Sequence, residues 1–212
     1  MARPRAQNYD ERRRGILNRS AGLFADHGFT GTSISMIAQA CGVSNALLYH
    51  YYASKEEVLF DLLLHHLQDL VEVVETAIIS TEDGRTRLLA IASELLEAYR
   101  GADAEHQVQI SCLKLLPTAR QQILRDLERR LVAVTSRAIV HAIPTLGKDK
   151  HLIKATTMSF FAMLNWHYLW FRHGNGLTRG EYARLVTGLI LEGTEKAAAF
   201  MAENRQDKLS GT

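Results

Sequence analysis

The chain has 212 residues, 47% of them hydrophobic and 23% charged, with 14 Gly, 3 Pro and 2 Cys, which excludes a disordered chain, a collagen-like fibre and a disulfide scaffold. That length suffices for one large domain or two small ones with a real core. The net charge of +2 hides an asymmetry: residues 1–55 carry seven Lys and Arg against three Asp and Glu, whereas residues 56–212 carry 18 against 20. The basic end is N-terminal, which suits a polyanion contact at that end or simply a solvated surface. No apolar run approaches the ~18 residues of a membrane span, and the early arginines have no apolar stretch behind them, so neither a membrane helix nor a secretory signal is expected. The expected compartment is the cytoplasm, where Cys41 and Cys112, lacking paired or metal-type spacing, behave as small hydrophobes.

Apolar residues recur at three and four along almost the whole chain, and breakers bunch at plausible helix ends, so the fold class is all-α with about nine helices. Asn8 and Glu11 read as a capping box for a first helix over 9–27, whose apolar face is Ile16, Leu17, Ala21 and Phe24 and whose stop is His27-Gly28. Ser33 caps a short second helix with Ile34, Ile37 and Ala38; Cys41-Gly42-Val43 turns the chain; Ser44 caps a third helix through Tyr51. Ser54 to Glu57 is a second capping box, opening a long fourth helix with Val58, Leu59, Leu62, Leu63, Leu67, Leu70 and Val74 that Asp83-Gly84 ends. Further helices are expected over 85–101, 104–115, 118–142, 149–173 and 179–203, punctuated by Gly101, Pro117, Pro144 and Gly174-Asn-Gly176. The tail beyond Asp207 is polar enough to fray.

Residues 32–57 carry the functional signal. Two helices cross steeply through a tight turn only if the first offers a small residue at the crossing and the turn reaches positive φ; Ala38 and Gly42 meet these needs, and Leu48, six residues on, anchors the third helix beside Ile34 and Ile37. This is a helix-turn-helix, whose second helix enters the DNA major groove. At ~100° per residue, Asn45, Ala46, Tyr49 and His50 fall on one half of that helix and Leu47, Leu48, Tyr51 and Tyr52 on the other. The first half is exposed and carries an amide, a methyl, a phenol and an imidazole, groups that read base edges or touch phosphate, with no carboxylate among them.

In Phe24-Ala25, Gly28-Phe29, Thr32-Ser33, Ile37-Ala38, Gly42-Val43-Ser44, Leu48-Tyr49, Tyr51-Tyr52 and Ser54-Lys55-Glu56-Glu57, the chain resembles the TetR family of bacterial transcriptional regulators. The resemblance implies an N-terminal three-helix helix-turn-helix domain, residues 1–55, followed by a larger helical ligand-binding and dimerisation domain, residues 56–212. It implies DNA contacts at Ser33, Ser35, Ser44, Asn45, Ala46, Tyr49, His50 and Lys55. Leu47 stands where the family most often has a threonine that touches the DNA backbone, so that contact is in question. The resemblance also implies a partner set of a roughly palindromic double-stranded operator, a second copy of the chain as homodimer, and a small-molecule effector. Its run from Ala40 to Tyr52 looks most like regulators that sense acyl-CoA thioesters in aromatic-acid or fatty-acid catabolism.

Lys55 opens a helix, where phosphate is favoured. Arg3, Arg5 and Arg12 to Arg14 suit either a minor-groove arm or a solvated tail. His65, His66, His106, His141, His151, His167 and His173 have no metal-type spacing, so no metal or other cofactor is expected. GxSxG, HExxH, P-loop and paired-carboxylate patterns are missing, so no catalytic residues are expected either. The body offers an apolar interior with Tyr99, His106, Gln109, Lys114, Arg137, Asn165 and His173 as candidate ligand contacts, suiting an acyl or aryl group with a polar end. The two last long helices, with Phe160, Leu164, Trp170, Leu185 and Leu189, are the candidate dimer surface. A constitutive architectural DNA-binding protein is the alternative; the ~150 residues beyond the helix-turn-helix favour a sensor, since DNA binding alone is achieved by a single small module.

Overall fold

The computed structural model describes the backbone of residues 3–79, 83–171, 174 and 176–210, and the side chains of these except 3–8, 195 and 198–210. Within them the regular elements are helical: α1 (Arg3–Gly31), α2 (Ile34–Cys41), α3 (Asn45–Tyr51), α4 (Lys55–Ile79), α5 (Gly84–Ala98), α6 (Asp103–Cys112), α7 (Thr118–Ala142), α8 (Lys150–Asn165), the single turn α9 (His167–Trp170) and α10 (Arg179–Ser210). The all-α class therefore holds, with nine helices of seven residues or more in the described chain.

Two expectations change at α1. The helix already runs through Asn8, so the proposed capping box at Asn8 and Glu11 does not form. The stop at Gly28 is real but local: φ 70 and ψ 165 there kink the helix, a conformation that a β-carbon disfavours, and the chain makes one more turn to Gly31. Thr32 secures that turn, donating its hydroxyl to the Gly28 and Leu23 carbonyls at 2.9 and 3.1 Å.

The packing separates two compact units, Met1–Asp69 with Gly101–Glu128, and Leu70–Arg100 with Arg129–Thr212. In the first, one apolar core joins Ile16, Leu17, Ala21 and Phe24 of α1, Ile37 and Ala38 of α2, Leu48 of α3, Val58, Leu59, Leu62, Leu63 and Leu67 of α4, and Val108 and Cys112 of α6. Burying each large aliphatic side chain contributes roughly 1.5 to 3 kcal/mol, and this core holds α2 and α3 against α1 and α4. Cys112 is buried and Cys41 half-buried, both as free thiols.

In the second unit α5, α8 and α10 pack together through Leu88, Ile91, Leu95, Phe160, Phe161, Leu164, Ala183, Val186 and Ile190. The helix expected over 149–173 breaks at Trp166, whose φ −87 and ψ −2 close α8 with an N–H shared between Ala162 and Leu164 carbonyls. Beyond the break His167 is buried, its ring 4.6 Å from Phe171 and stacked on Tyr182 at 6.0 Å. Trp166, Leu169 and Trp170 are left exposed.

Candidate nucleic-acid interface

The helix-turn-helix is built by caps at both ends of its turn. The Ser33 hydroxyl accepts from the Met36 N–H at 3.2 Å and the Ser44 hydroxyl from the Leu47 N–H at 3.1 Å, starting α2 and α3. Between them Gly42 adopts φ 65, and the Val43 N–H reaches back to the Ala38 carbonyl at 3.0 Å, a left-handed helix stop that a side chain would strain.

On α3 the exposed residues are Asn45, Ala46, Tyr49 and His50, while Leu48 and Tyr52 are buried and Leu47 and Tyr51 half-buried. Tyr49 is 54% exposed, so its phenol belongs to the surface. The Asn45 amide donates to the Ser35 hydroxyl at 3.1 Å, joining the two helices on the outer side of the turn. Beneath the exposed face Tyr51 stacks on Tyr9 of α1 at 4.7 Å. No acidic residue lies on α3. The outcome is an exposed face that carries an amide, a methyl, a phenol and an imidazole, groups suited to base edges.

Lys55 has a different setting from the one expected. Its ammonium donates to the Phe29 and Thr32 carbonyls at 2.8 and 2.9 Å and sits 4.5 Å from the centre of the Phe29 ring. Two of its three N–H groups are thus engaged in tying the start of α4 to the end of α1. The box at Ser54 does form, with Ser54 Oγ accepting from the Glu57 N–H at 3.3 Å, but Glu57 reaches back to the Ala53 N–H at 2.8 Å, one residue earlier than in the usual reciprocal pair.

Asp61 is the residue that sequence reasoning passed over. It is 6% exposed, yet its carboxylate receives Arg13 from α1 and Tyr52 from the end of α3. The available signal was an acid set inside the apolar run Val58 to Leu63.

The candidate ligand contacts are divided between the two units. In the first unit His106 is buried beside His66, ring centres 6.1 Å apart, and Gln109 donates to Glu128 at 3.0 Å. In the second, Tyr99 is buried and donates to the Asn165 side-chain oxygen at 2.8 Å. Lys114 and Arg137 are corrections: both are exposed on their helices, as long cationic side chains usually are, and are not part of an apolar interior. His173 lies outside the described residues. Of the candidate dimer residues, Trp170, Leu185 and Leu189 are exposed, whereas Phe160 and Leu164 are fully buried in the core of their own unit and are unavailable to a partner. Arg12 and Arg14 are exposed and Arg13 is committed to Asp61; the side chains of Arg3 and Arg5 lie outside the described residues. Among the described residues no group of three or more His, Cys, Asp or Glu could hold a metal ion, and no helix is long and apolar enough to cross a membrane.

The pattern for bacterial regulatory proteins of the tetR family matches residues 16–62, and that for tetracyclin repressor-like C-terminal domains matches residues 81–194, over half of the chain. The chain belongs to the TetR family of transcriptional regulators. A TetR-family regulator from Bordetella parapertussis is 34% identical with a TM-score of 0.80, covering 84% of this chain and 93% of that one. The transcriptional repressor KstR2 of Rhodococcus jostii is 25% identical over 86% of this chain and 90% of its own. AibR, solved with isovaleryl coenzyme A and operator DNA, is 26% identical with a TM-score of 0.72, covering 84% of this chain and 97% of that one. As a TetR-family protein the chain is a DNA-binding regulator and not an enzyme, and members of the family bind operator DNA and dimerise.

Proposed function

We propose that this TetR-family protein is a ligand-responsive repressor that leaves a palindromic operator when an acyl-CoA thioester binds. The observation that carries the DNA-reading half is the acid-free exposed face of α3. Asn45, Ala46, Tyr49 and His50 read base edges, and Ser33, Ser35 and Ser44 lie at the starts of the two helices where the DNA backbone passes. Lys55 anchors α4 instead of contacting phosphate.

Residues 1–55 act as the reader, and residues 56–212 as sensor and dimerisation body. Exposed Trp170, Leu185 and Leu189 supply the dimer surface, with Gly188 and Gly193 letting two α10 helices approach closely. Two such readers span half-sites ~34 to 36 Å apart, or a multiple of that. Likeness to KstR2 supports repression, and likeness to AibR supports a CoA thioester as effector. An effector that binds the two states with a differential of ~1 to 3 kcal/mol changes DNA affinity 5 to 150-fold.

The test begins by selecting a duplex from random DNA with the purified protein. Isovaleryl, phenylacetyl and longer acyl-CoA thioesters, and the corresponding free acids, are then titrated into the complex. Release by thioesters supports the reading, release by free aromatic acids alone transfers it to that class, and unchanged affinity throughout leaves a constitutive DNA-binding protein. Sedimentation showing only monomer at micromolar concentration would contradict the dimer.

A further inference from the structure

A carboxylate that is nine-tenths buried needs a reason. Asp61 sits on α4 among Val58, Leu59, Leu62 and Leu63, all buried, and desolvating a lone carboxylate there is costly. Its oxygens are divided between two neighbouring helices: Oδ1 accepts from Arg13 Nη2 at 2.5 Å, with His65 Nε2 at 3.6 Å, and Oδ2 accepts from the Tyr52 hydroxyl at 2.5 Å. Arg13 belongs to α1, and Tyr52 is the residue on which α3 ends. All four groups lie in the same compact unit.

We propose that Asp61 and Tyr52 are positioning residues for operator recognition, fixing the C-terminal end of α3 on α4 so that Tyr49 and His50 meet the bases in register. The inference rests on the base-reading role of α3 proposed above. With only seven residues, α3 is far below the ~12 to 15 at which a helix persists by itself, so its placement is decided by what it is fastened to. Leu48 fixes its depth, but apolar burial has no direction. A hydrogen bond from a phenol to a carboxylate has one, and it acts three residues from Tyr49 and two from His50. Burial, and then the hydrogen bond to Asp61, raise the Tyr52 pKa above the usual tyrosine value, so the phenol stays a donor throughout the working pH range. Such a buried ionic cluster adds little net stability over apolar packing; where it is kept, its use is register.

The decisive variants are Tyr52→Phe, which removes one oxygen and keeps the ring, and Asp61→Asn. Affinity is measured for the selected operator and for an unrelated duplex at the same salt, with melting temperature on the same samples. Tyr52→Phe is expected to weaken operator binding about tenfold, with affinity for unrelated DNA and the salt slope unchanged. In the Asp61→Asn background the same change should cost less than in the wild type, because the amide that remains offers Tyr52 only a neutral hydrogen bond. A Tyr52→Phe protein with wild-type preference for operator over unrelated DNA overturns the inference, as does an equal loss on both duplexes. If Asp61→Asn does not fold, Tyr52→Phe alone decides. Failure of the wild-type protein to select any sequence would instead reject the reading on which the inference rests.

Discussion

The side-chain amide of Asn45 donates to the hydroxyl of Ser35 across the outer side of the helix-turn-helix, at 3.1 Å. Each restrains the other before DNA arrives, leaving Asn45 with its carbonyl and one N–H for a base edge. Asn45→Ala is expected to lose about 1 to 3 kcal/mol of operator binding and to relax preference at one base pair. Ser35→Ala should lose less, about 0.5 to 1.5 kcal/mol, through a freer Asn45. Binding to a panel of single-substituted operators separates the two.

Tyr49 is more than half exposed. Tyr49→Ala should therefore leave stability within about 0.5 kcal/mol of wild type while lowering operator affinity strongly. A sharply lower melting temperature with unchanged affinity would contradict this.

Lys55→Met is expected to act on stability. It removes two charge-assisted hydrogen bonds to the Phe29 and Thr32 carbonyls and a cation over the Phe29 ring, a loss of about 1 to 3 kcal/mol. The slope of log affinity against log salt should stay the same, whereas loss of a phosphate contact would lower it by about 0.9. Chemical denaturation and a salt titration read the two effects independently.

His66 makes stability depend on acidity. It is 8% exposed and its Nε2 has no hydrogen-bond partner among the described residues; burial, and then the neighbouring His106, lower its pKa from 6.5 to about 4. Between those values the unfolded chain holds a proton that the folded one does not, so stability falls as pH drops through that window and levels below it. The full loss is on the order of 3 kcal/mol. His66→Gln should flatten this part of the curve, seen as a pH-dependent difference in denaturation midpoint from wild type.

Gly84 opens α5 against the end of α7, and a β-carbon there would lie 2.7 Å from the Ala142 backbone. Gly84→Ala must push two backbones apart, and a destabilisation of about 1 to 3 kcal/mol is expected in thermal or denaturant melts.

Much of the first unit is legible in the sequence because its signals are local. Helical spacing, the caps at Ser33 and Ser44 and the glycine at 42 act within a few residues, so the split of α3 into an exposed and a buried half follows from a wheel. Asp61 is missed, and the hydrogen bonds of Lys55 are not foreseen, for the opposite reason, since the partners Phe29, Thr32 and Arg13 lie 23 to 48 positions away. Of the dimer candidates, Phe160 and Leu164 are misplaced because an apolar residue in a helical run suits the core of its own unit as well as a partner: both are buried, while Trp170, Leu185 and Leu189 are exposed. Lys114 and Arg137 show that a cation within a helical pattern is more readily placed in water than against a ligand.

The seven residues of α3 keep two instructions physically apart. Leu48 and Tyr52 tell the unit how to fold, and Asn45, Ala46, Tyr49 and His50 face away from that core. Changes on the outer side therefore do not have to be compatible with the packing inside, and, given the base-reading role proposed for this face, a new operator can be acquired by substitution at four exposed positions without rebuilding the domain. Retargeting by exchange of those side chains, with Ser44 and Gly42 left in place, becomes an engineering route that this arrangement leaves open.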